Sequence, residues 1–459
     1  MIPEGECQIT SPTEMKTSIE FINHASVIVG GNEVSVLSDP WFRGDAFHKG
    51  WNLLHETSDE EAEKILDKIT HIWLSHEHPD HFSVLFFKTF RQKIINGSIK
   101  ILFQETEDKR VLKFLKSLSL KCEELKFNKE THLSKSFSIT CIKDGFYDSG
   151  LLIQNGEEKI LNLNDCEVTS LPRAQEVCSI TGQVDVLLTQ FSFAAWKGGK
   201  KNKRWRDEAA QEKLKTMELQ IEQFKPKYVI PFASYVYFSN TENNYLNDAI
   251  NKPREVVKRF ADSNVEVVVM KPKDKLGGDN AKVAISDALE FWESKYDSID
   301  LQSLNSYSQI PLEEIYANFH KYCERTSNKN SLWLIKLVRT ISPISAFKPV
   351  TINISDLDCT VKFDYVTSEI AQVNDEAMLS MKSESLNFVF QNSFGFDTLT
   401  VNGCFEEEKQ GGFVQATKTL AIENLNNLGI NVAPRTLLNF SIIRLFLKRL
   451  YRVSKKISR

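Results

Sequence analysis

The chain has 459 residues, 41% hydrophobic and 26% charged, the balance of an ordinary folded protein of two or three domains. Lysine plus arginine number 57 against 61 for aspartate plus glutamate, a formal net charge of −4, so no global positive field draws the chain to nucleic acid. No run of about 18 apolar residues occurs, which argues against a spanning helix.

Residues 17–39 read as two strands, Ser18-Ile19-Glu20-Phe21-Ile22 and Val34-Ser35-Val36-Leu37, around a Gly30-Gly31-Asn32 turn. A helix follows over 59–68, with acids early and a lysine late. Thr70-His71-Ile72-Trp73-Leu74-Ser75 is a short apolar strand that runs into a cluster of histidines. Further strands are expected at 99–104, 137–142, 151–155, 159–163, 185–190, 227–231 and 265–271, with helices near 83–95, 107–118 and 206–224. Alternating strands and helices predict an α/β unit with layered sheets over 1–300. A helical connector is expected over 301–345. A small α+β domain is expected over 346–435, with strands at Thr351-Ile352-Asn353-Ile354, Thr360-Val361-Lys362-Phe363 and Phe388-Val389-Phe390. The last stretch, 436–459, carries seven basic and no acidic residues among leucine, isoleucine and phenylalanine. It reads as a basic amphipathic tail that either touches an anionic membrane surface or docks on the protein.

The chemistry concentrates in Ser75-His76-Glu77-His78-Pro79-Asp80-His81, just after a strand. Three of the nine histidines fall within six positions. Imidazole and carboxylate bind zinc, iron and manganese well. Four such donors in one turn crowd a single ion, so His76 and His78 are expected to face one metal position and Asp80 and His81 a second. Asp165 closes the apolar strand Ile160-Leu161-Asn162-Leu163-Asn164 and can bridge the two. A turn aspartate is the alternative there.

His76-x-His78-x-Asp80-His81, with an acid closing a later strand, resembles the metallo-β-lactamase superfamily. Within it the chain is similar to the CMP-N-acetylneuraminate hydroxylases. The matching segments are Asn23-His24-Ala25, Ser38-Asp39-Pro40-Trp41, Gly50-Trp51-Asn52-Leu53-Leu54-His55-Glu56, Leu74 to Phe82, Asp144-Gly145, Asp148-Ser149, Lys159 to Asn162 with Asp165-Cys166, and Ile230 to Tyr235. The resemblance implies an αβ/βα sandwich with metal at one edge, followed by a sterol-carrier-like α+β domain used as scaffold or for forming a homodimer. It also implies a hydroxylase, or monooxygenase, acting on an anionic sugar or sugar nucleotide.

Two departures stand out. Those hydroxylases carry a Rieske iron–sulfur domain, whose Cys-x-His and Cys-x-x-His pairs are absent here. Electrons are therefore expected from a separate Rieske or ferredoxin-type protein. The hydrolytic members of the superfamily use further histidines that fall here near Asp144 and Ala233. The remaining set, His76, His78, Asp80, His81 and Asp165 with Asp144 in place of a histidine, and with His24 and Asp148 as further candidates, suits one or two iron ions. Zinc or manganese is the alternative.

Other features are weighed against plainer roles. Asp80, Asp165 and His24 are the candidate catalytic residues, and a simply buried His24 is as good a reading. Asp39 either orients a ligand or is a turn residue before proline. Lys200, Lys201 and Arg204, in a basic glycine-containing loop, are candidate clamps for an anionic substrate, as against an ordinary solvated loop. Trp51 either floors a pocket or packs in the core. The eight cysteines, without a Cys-x-x-Cys, read as reduced thiols, and the start Met1-Ile2-Pro3-Glu4-Gly5-Glu6 does not read as a signal peptide, so a cytoplasmic location is expected. A metal-dependent hydrolase of phosphodiesters or esters, and a non-catalytic metal-binding protein, stay open beside the hydroxylase.

Overall fold

The computed structural model describes residues 15–434 apart from 32, 280, 282 and 342–344. The basic tail expected over 436–459 lies outside the described residues. The chain divides into two units between Asn305 and Ser306.

In the first unit, β1 (Ser18–Asn23), β2 (Ser26–Gly30), β3 (Ser35–Ser38), β4 (Trp51–Leu53), β5 (His71–Leu74), β6 (Lys100–Gln104) and β7 (Cys122–Leu125) come first. They precede β8 (Glu130–His132), β9 (Phe137–Asp144), β10 (Asp148–Asn155), β11 (Glu158–Asn164), β12 (Val186–Gln190), β13 (Tyr228–Phe232), β14 (Val236–Phe238), β15 (Glu266–Val267) and β16 (Lys275–Leu276). Two seven-stranded sheets result, ordered β16-β1-β2-β3-β5-β6-β7 and β15-β13-β12-β11-β10-β9-β8. Each has an antiparallel half and a parallel half, β3-β5-β6-β7 in one and β11-β12-β13-β15 in the other. Helices connect the parallel strands, as that geometry requires.

The strand period of two sorts the core. Trp73 joins Phe21, Val27 and Val36 in a cluster shared with Leu151, Leu161 and Leu187 of the second sheet. Its neighbours Ile72 and Leu74 point the other way, into a cluster with Ala62, Ile65, Phe86 and Phe87. Helix Asp59–Leu66 shows how sequence dictates this. Ser58 and Glu61 form a capping box at its start, and Ala62, Ile65 and Leu66 form its buried stripe. Both sheets are thus covered by helices outside and pack on each other inside, the αβ/βα sandwich of the metallo-β-lactamase fold.

Several elements differ from the sequence reading. Three strands, not two, fill residues 18–38, because Ser26–Gly30 pairs with both neighbours. The helix expected over 83–95 is two, Val84–Thr89 and Arg91–Asn96, meeting at Phe90. The strand expected over 265–271 keeps only Glu266–Val267 as ladder.

The second unit has β17 (Val350–Ile354), β18 (Cys359–Asp364), β19 (Glu369–Val373), β20 (Leu379–Met381) and β21 (Glu406–Glu407), in the order β19-β18-β17-β20-β21. The helices Leu312–Ser327 and Leu332–Ile341, expected as a connector, belong to this unit. Phe319 in the first of them packs on Phe363 and Phe390. Phe388-Val389-Phe390, expected as a strand, lies in helix Ser383–Gln391. Its buried Leu386, Val389 and Phe390 fall at helical spacing, so the aromatic run is one face of a helix.

Candidate metal centre

The candidate site lies where the parallel strands end at their carboxyl edges, the usual crevice for ligands in such sheets. His76, His78, Asp80 and His81 leave the end of β5, Asp39 follows β3, and Asp165 follows β11. His24 sits in the tight turn between β1 and β2, and Asp148 opens β10. Asp39 and Asn164 hold left-handed backbone, with φ of 38° and 32°. Short polar residues tolerate that region best, and the turn at Asn164 ends the strand just before Asp165.

The turn after β5 is held from several sides. The backbone N–H of Ser75 donates to Asp39 Oδ1 at 2.8 Å and its hydroxyl to Oδ2 at 2.7 Å. The Ser75 carbonyl accepts from Gln104 at 2.9 Å and from the Ser149 hydroxyl at 2.6 Å. His81 Nδ1 meets Asp39 Oδ2 at 2.9 Å. That bond leaves Nε2 of His81 facing inward, 3.3 Å from both Asp80 Oδ2 and Asp165 Oδ1.

Three sets of donor atoms converge, each within 4.8 Å: His24, Asp80 and His81; His76, His81 and Asp165; and His76, His78 and Asp148. Asp165 links them, with Oδ1 at 3.3 Å from His81 and Oδ2 at 4.0 Å from His76. His24, His76, Asp80 and His81 are at most 2% exposed.

The residues fit metal ions on their own chemistry. Three carboxylates, Asp80, Asp148 and Asp165, face this crowded space, and a fourth, Asp39, stands behind His81. Among the described residues none has a lysine or arginine ion-pair partner. His24 Nδ1, Asp80 Oδ1, His81 Nε2 and Asp148 Oδ1 are buried without a hydrogen bond. Buried, unpaired donors of this kind are costly unless a cation joins them. The donor set is imidazole and carboxylate. The neighbouring Cys166 thiol is pushed well up by burial and by Asp144, Asp148 and Asp165, which keeps it protonated.

Charges divide within the cluster. Burial, with His81 and His78, holds His76 well below the usual imidazole range, in the neutral form that ligates metal. Burial also opposes the charged form of His81, but Asp80, Asp165 and Asp39 outweigh it and hold it well above that range. Burial alone would raise Asp80 and Asp165; His81 chiefly holds both below the usual carboxylate range. Asp148 is pushed up to about 7 by burial, with His78 opposing and Asp165 and Asp144 adding.

Asp144, expected as a substitute ligand, is engaged elsewhere. Its carboxylate accepts from the Glu167 N–H at 2.5 Å and pairs with Arg173 at 2.9 Å. Asp148, its partner across the β9–β10 hairpin, stands beside His76 instead. Trp51 is 2% exposed and packs on Phe47 and Phe238, a core residue rather than a pocket floor. Arg204 pairs with Glu208 on the exposed surface, Lys200 lies over the Tyr245 ring, and Lys201 is exposed. The cavity beside Asp165 is lined by other lysines, Lys197, Lys213 and Lys215. Gln190 and Lys213, which the sequence reading missed, connect there: Gln190 Nε2 donates to Asp165 Oδ1 and Lys213 Nζ to Gln190 Oε1, each at 2.5 Å. Neither carries a local sequence signal.

No family model matches the chain. Curated relatives are cytidine monophosphate-N-acetylneuraminic acid hydroxylases. The mouse protein is 26% identical over 284 residues, 57% of this chain and 47% of its own length. The starfish Asterias rubens protein is 26% identical over 366 residues, 73% and 52% respectively. The human relative, described as inactive, is 24% identical over 289 residues, covering 58% and 56%. The chain thus spans about half the length of the curated relatives it matches. Among solved structures, the diiron β-hydroxylase CmlA of Streptomyces venezuelae aligns at TM-score 0.40 and 14% identity, over 56% of this chain and 53% of that one. Human tRNase Z, short form, aligns at 0.36 and 12% identity, over 57% and 100%. The chain is a metallo-β-lactamase-fold protein whose sequence is similar to the cytidine monophosphate-N-acetylneuraminic acid hydroxylases.

Proposed function

We propose that the chain is the metal-binding catalytic part of an oxygen-dependent hydroxylase acting on an anionic sugar or sugar nucleotide. The observation that carries this is the Asp165 carboxylate set between two donor groups, one oxygen toward each. His24, Asp80 and His81 would hold one iron ion, His76, His78 and Asp148 a second, and Asp165 would bridge them. Bound iron would supply the redox chemistry that reduces dioxygen. Overall, one oxygen atom enters a substrate C–H bond and the other leaves as water, consuming two electrons and two protons. The electrons would come from a separate Rieske or ferredoxin-type protein.

The chain's own residues perform the rest. Asp39 and Ser75 hold the histidine turn and present His81 Nε2 to the site. Burial keeps His76 neutral and ready to donate its lone pair. The hydroxylase relatives support a redox-active ion such as iron, which the imidazole and carboxylate donors suit.

The test is aerobic turnover of CMP-N-acetylneuraminic acid by iron-loaded full chain with a chemical reductant, read by mass spectrometry with labelled dioxygen. Incorporation of one labelled oxygen atom supports the reading. Oxygen-independent cleavage of phosphodiesters or esters with zinc or manganese would establish a hydrolase instead.

A further inference from the structure

Next to Asp165 lies a cavity of about 500 Å³ whose polar wall includes Gln190, Lys197, Lys213, Lys215 and Thr216. Lys213 comes from the middle of helix Lys203–Phe224 and is half-buried. Its one hydrogen-bond partner among the described residues is the neutral amide of Gln190, and none of their carboxylates reaches it as an ion pair. An ammonium seated this way has hydrogen-bonding capacity left and a charge to be matched. Other polar groups on the same wall are already satisfied: Thr189 donates to Gln220 at 2.6 Å, and Gln220 donates to the Val168 carbonyl at 3.3 Å. Glu167 and Glu212 stand on the lining too, so its charge is not uniform, and Lys213 is the lysine tied to the metal-site acid.

We propose that this cavity is the anion subsite of the enzyme: Lys213, aided by Lys197 and Lys215, binds an oxyanion of the substrate, a carboxylate or a phosphate. The inference rests on the hydroxylase reading for its place in the reaction, but the binding itself needs neither metal nor turnover. Lys213 itself sits two hydrogen bonds from Asp165, through the Gln190 amide, so an oxyanion on its ammonium is the next link of that chain. The subsite therefore positions the reacting part of the molecule at the metal edge. It also relocates the clamp from Lys200, Lys201 and Arg204 to the face where Lys197 emerges.

Isothermal titration of the full chain with CMP, with N-acetylneuraminic acid and with inorganic phosphate tests this. Lys213→Met should weaken at least one of these probes about tenfold or more, the loss of one charge-assisted hydrogen bond. Lys213→Arg should stay within about threefold of the parent, and the metal content of both should be unchanged. The probe affected names the group bound: CMP or phosphate for a phosphoryl oxygen, N-acetylneuraminic acid for the sugar carboxylate. Should Lys213→Met fail to fold, the Lys197→Gln, Lys215→Gln double variant must weaken at least one of the three probes and flatten the salt dependence of its binding. Unchanged affinity in the variants, or no binding of any probe at millimolar concentration, overturns the subsite. Lys213-dependent binding in a chain that shows no oxygen-dependent turnover would retain the subsite and overturn the hydroxylase reading.

Discussion

Asp39 Oδ2 lies 2.9 Å from His81 Nδ1, and this bond decides which ring nitrogen of His81 is offered to the site. A carboxylate accepts, so Nδ1 carries the proton and Nε2 is left to ligate. Asp39 is fully buried and touches no other site histidine directly. Its effect on metal passes through His81 and through Ser75.

Asp39→Asn keeps the shape and removes the charge behind His81. Metal affinity should fall about 10- to 100-fold, the usual effect of losing such a supporting carboxylate. A competition titration with a chromophoric chelator measures it. An affinity equal to the parent's would make Asp39 a turn residue only.

Asp148 and Asp144 should separate cleanly. Asp148→Asn should lose bound metal from the His76 and His78 side with little change in folding. Asp144→Asn should keep its metal but lose about 1–3 kcal/mol of stability, because the Arg173 guanidinium and the Glu167 N–H lose their charged acceptor. Metal analysis beside urea denaturation reads both, and the reverse pattern would restore Asp144 as the ligand.

Metal binding should depend on pH through Asp148. Its folded pKa is raised to about 7, so below 7 an entering ion must displace its proton. Affinity should drop by about tenfold per pH unit for that one proton as pH falls below 7, and change less steeply above it, where only the His81 proton is left to displace. His81, also held above its ordinary value, adds to the steepness. By linkage, the raised Asp148 stabilises the metal-free fold at low pH, and that contribution is lost as pH rises through 7. Asp148→Asn should flatten the metal profile.

Trp51→Ala should cost about 3–5 kcal/mol, the penalty for emptying a buried aromatic position. Trp51→Phe should fold and leave substrate KM unchanged, since Trp51 packs among Phe47 and Phe238. A raised KM in Trp51→Phe would return Trp51 to the substrate pocket.

The histidine turn was legible because its four donors are adjacent in the chain and follow an apolar strand. Asp165 was legible because it closes one. The choice between Asp144 and Asp148 was not, since these acids face each other across one hairpin. What separates them is Arg173, 29 positions beyond Asp144 in sequence. Lys213 was hidden as one of 57 basic residues, given meaning only by the strand end that brings Gln190 beneath it. The same limit applies to Phe388-Val389-Phe390, whose apolar run fits a strand until the burial of Leu386 fixes the helical period. Local chemistry was readable; pairings made by distant segments were not.

Asp165 is proposed to join a pair of cations. Anomalous diffraction at the iron edge, from crystals of chain loaded with ferrous iron without oxygen, would locate them. Two peaks are predicted, one among His24, Asp80 and His81 and one among His76, His78 and Asp148, with Asp165 between them. No peak there, or iron bound only elsewhere on the chain, would contradict it.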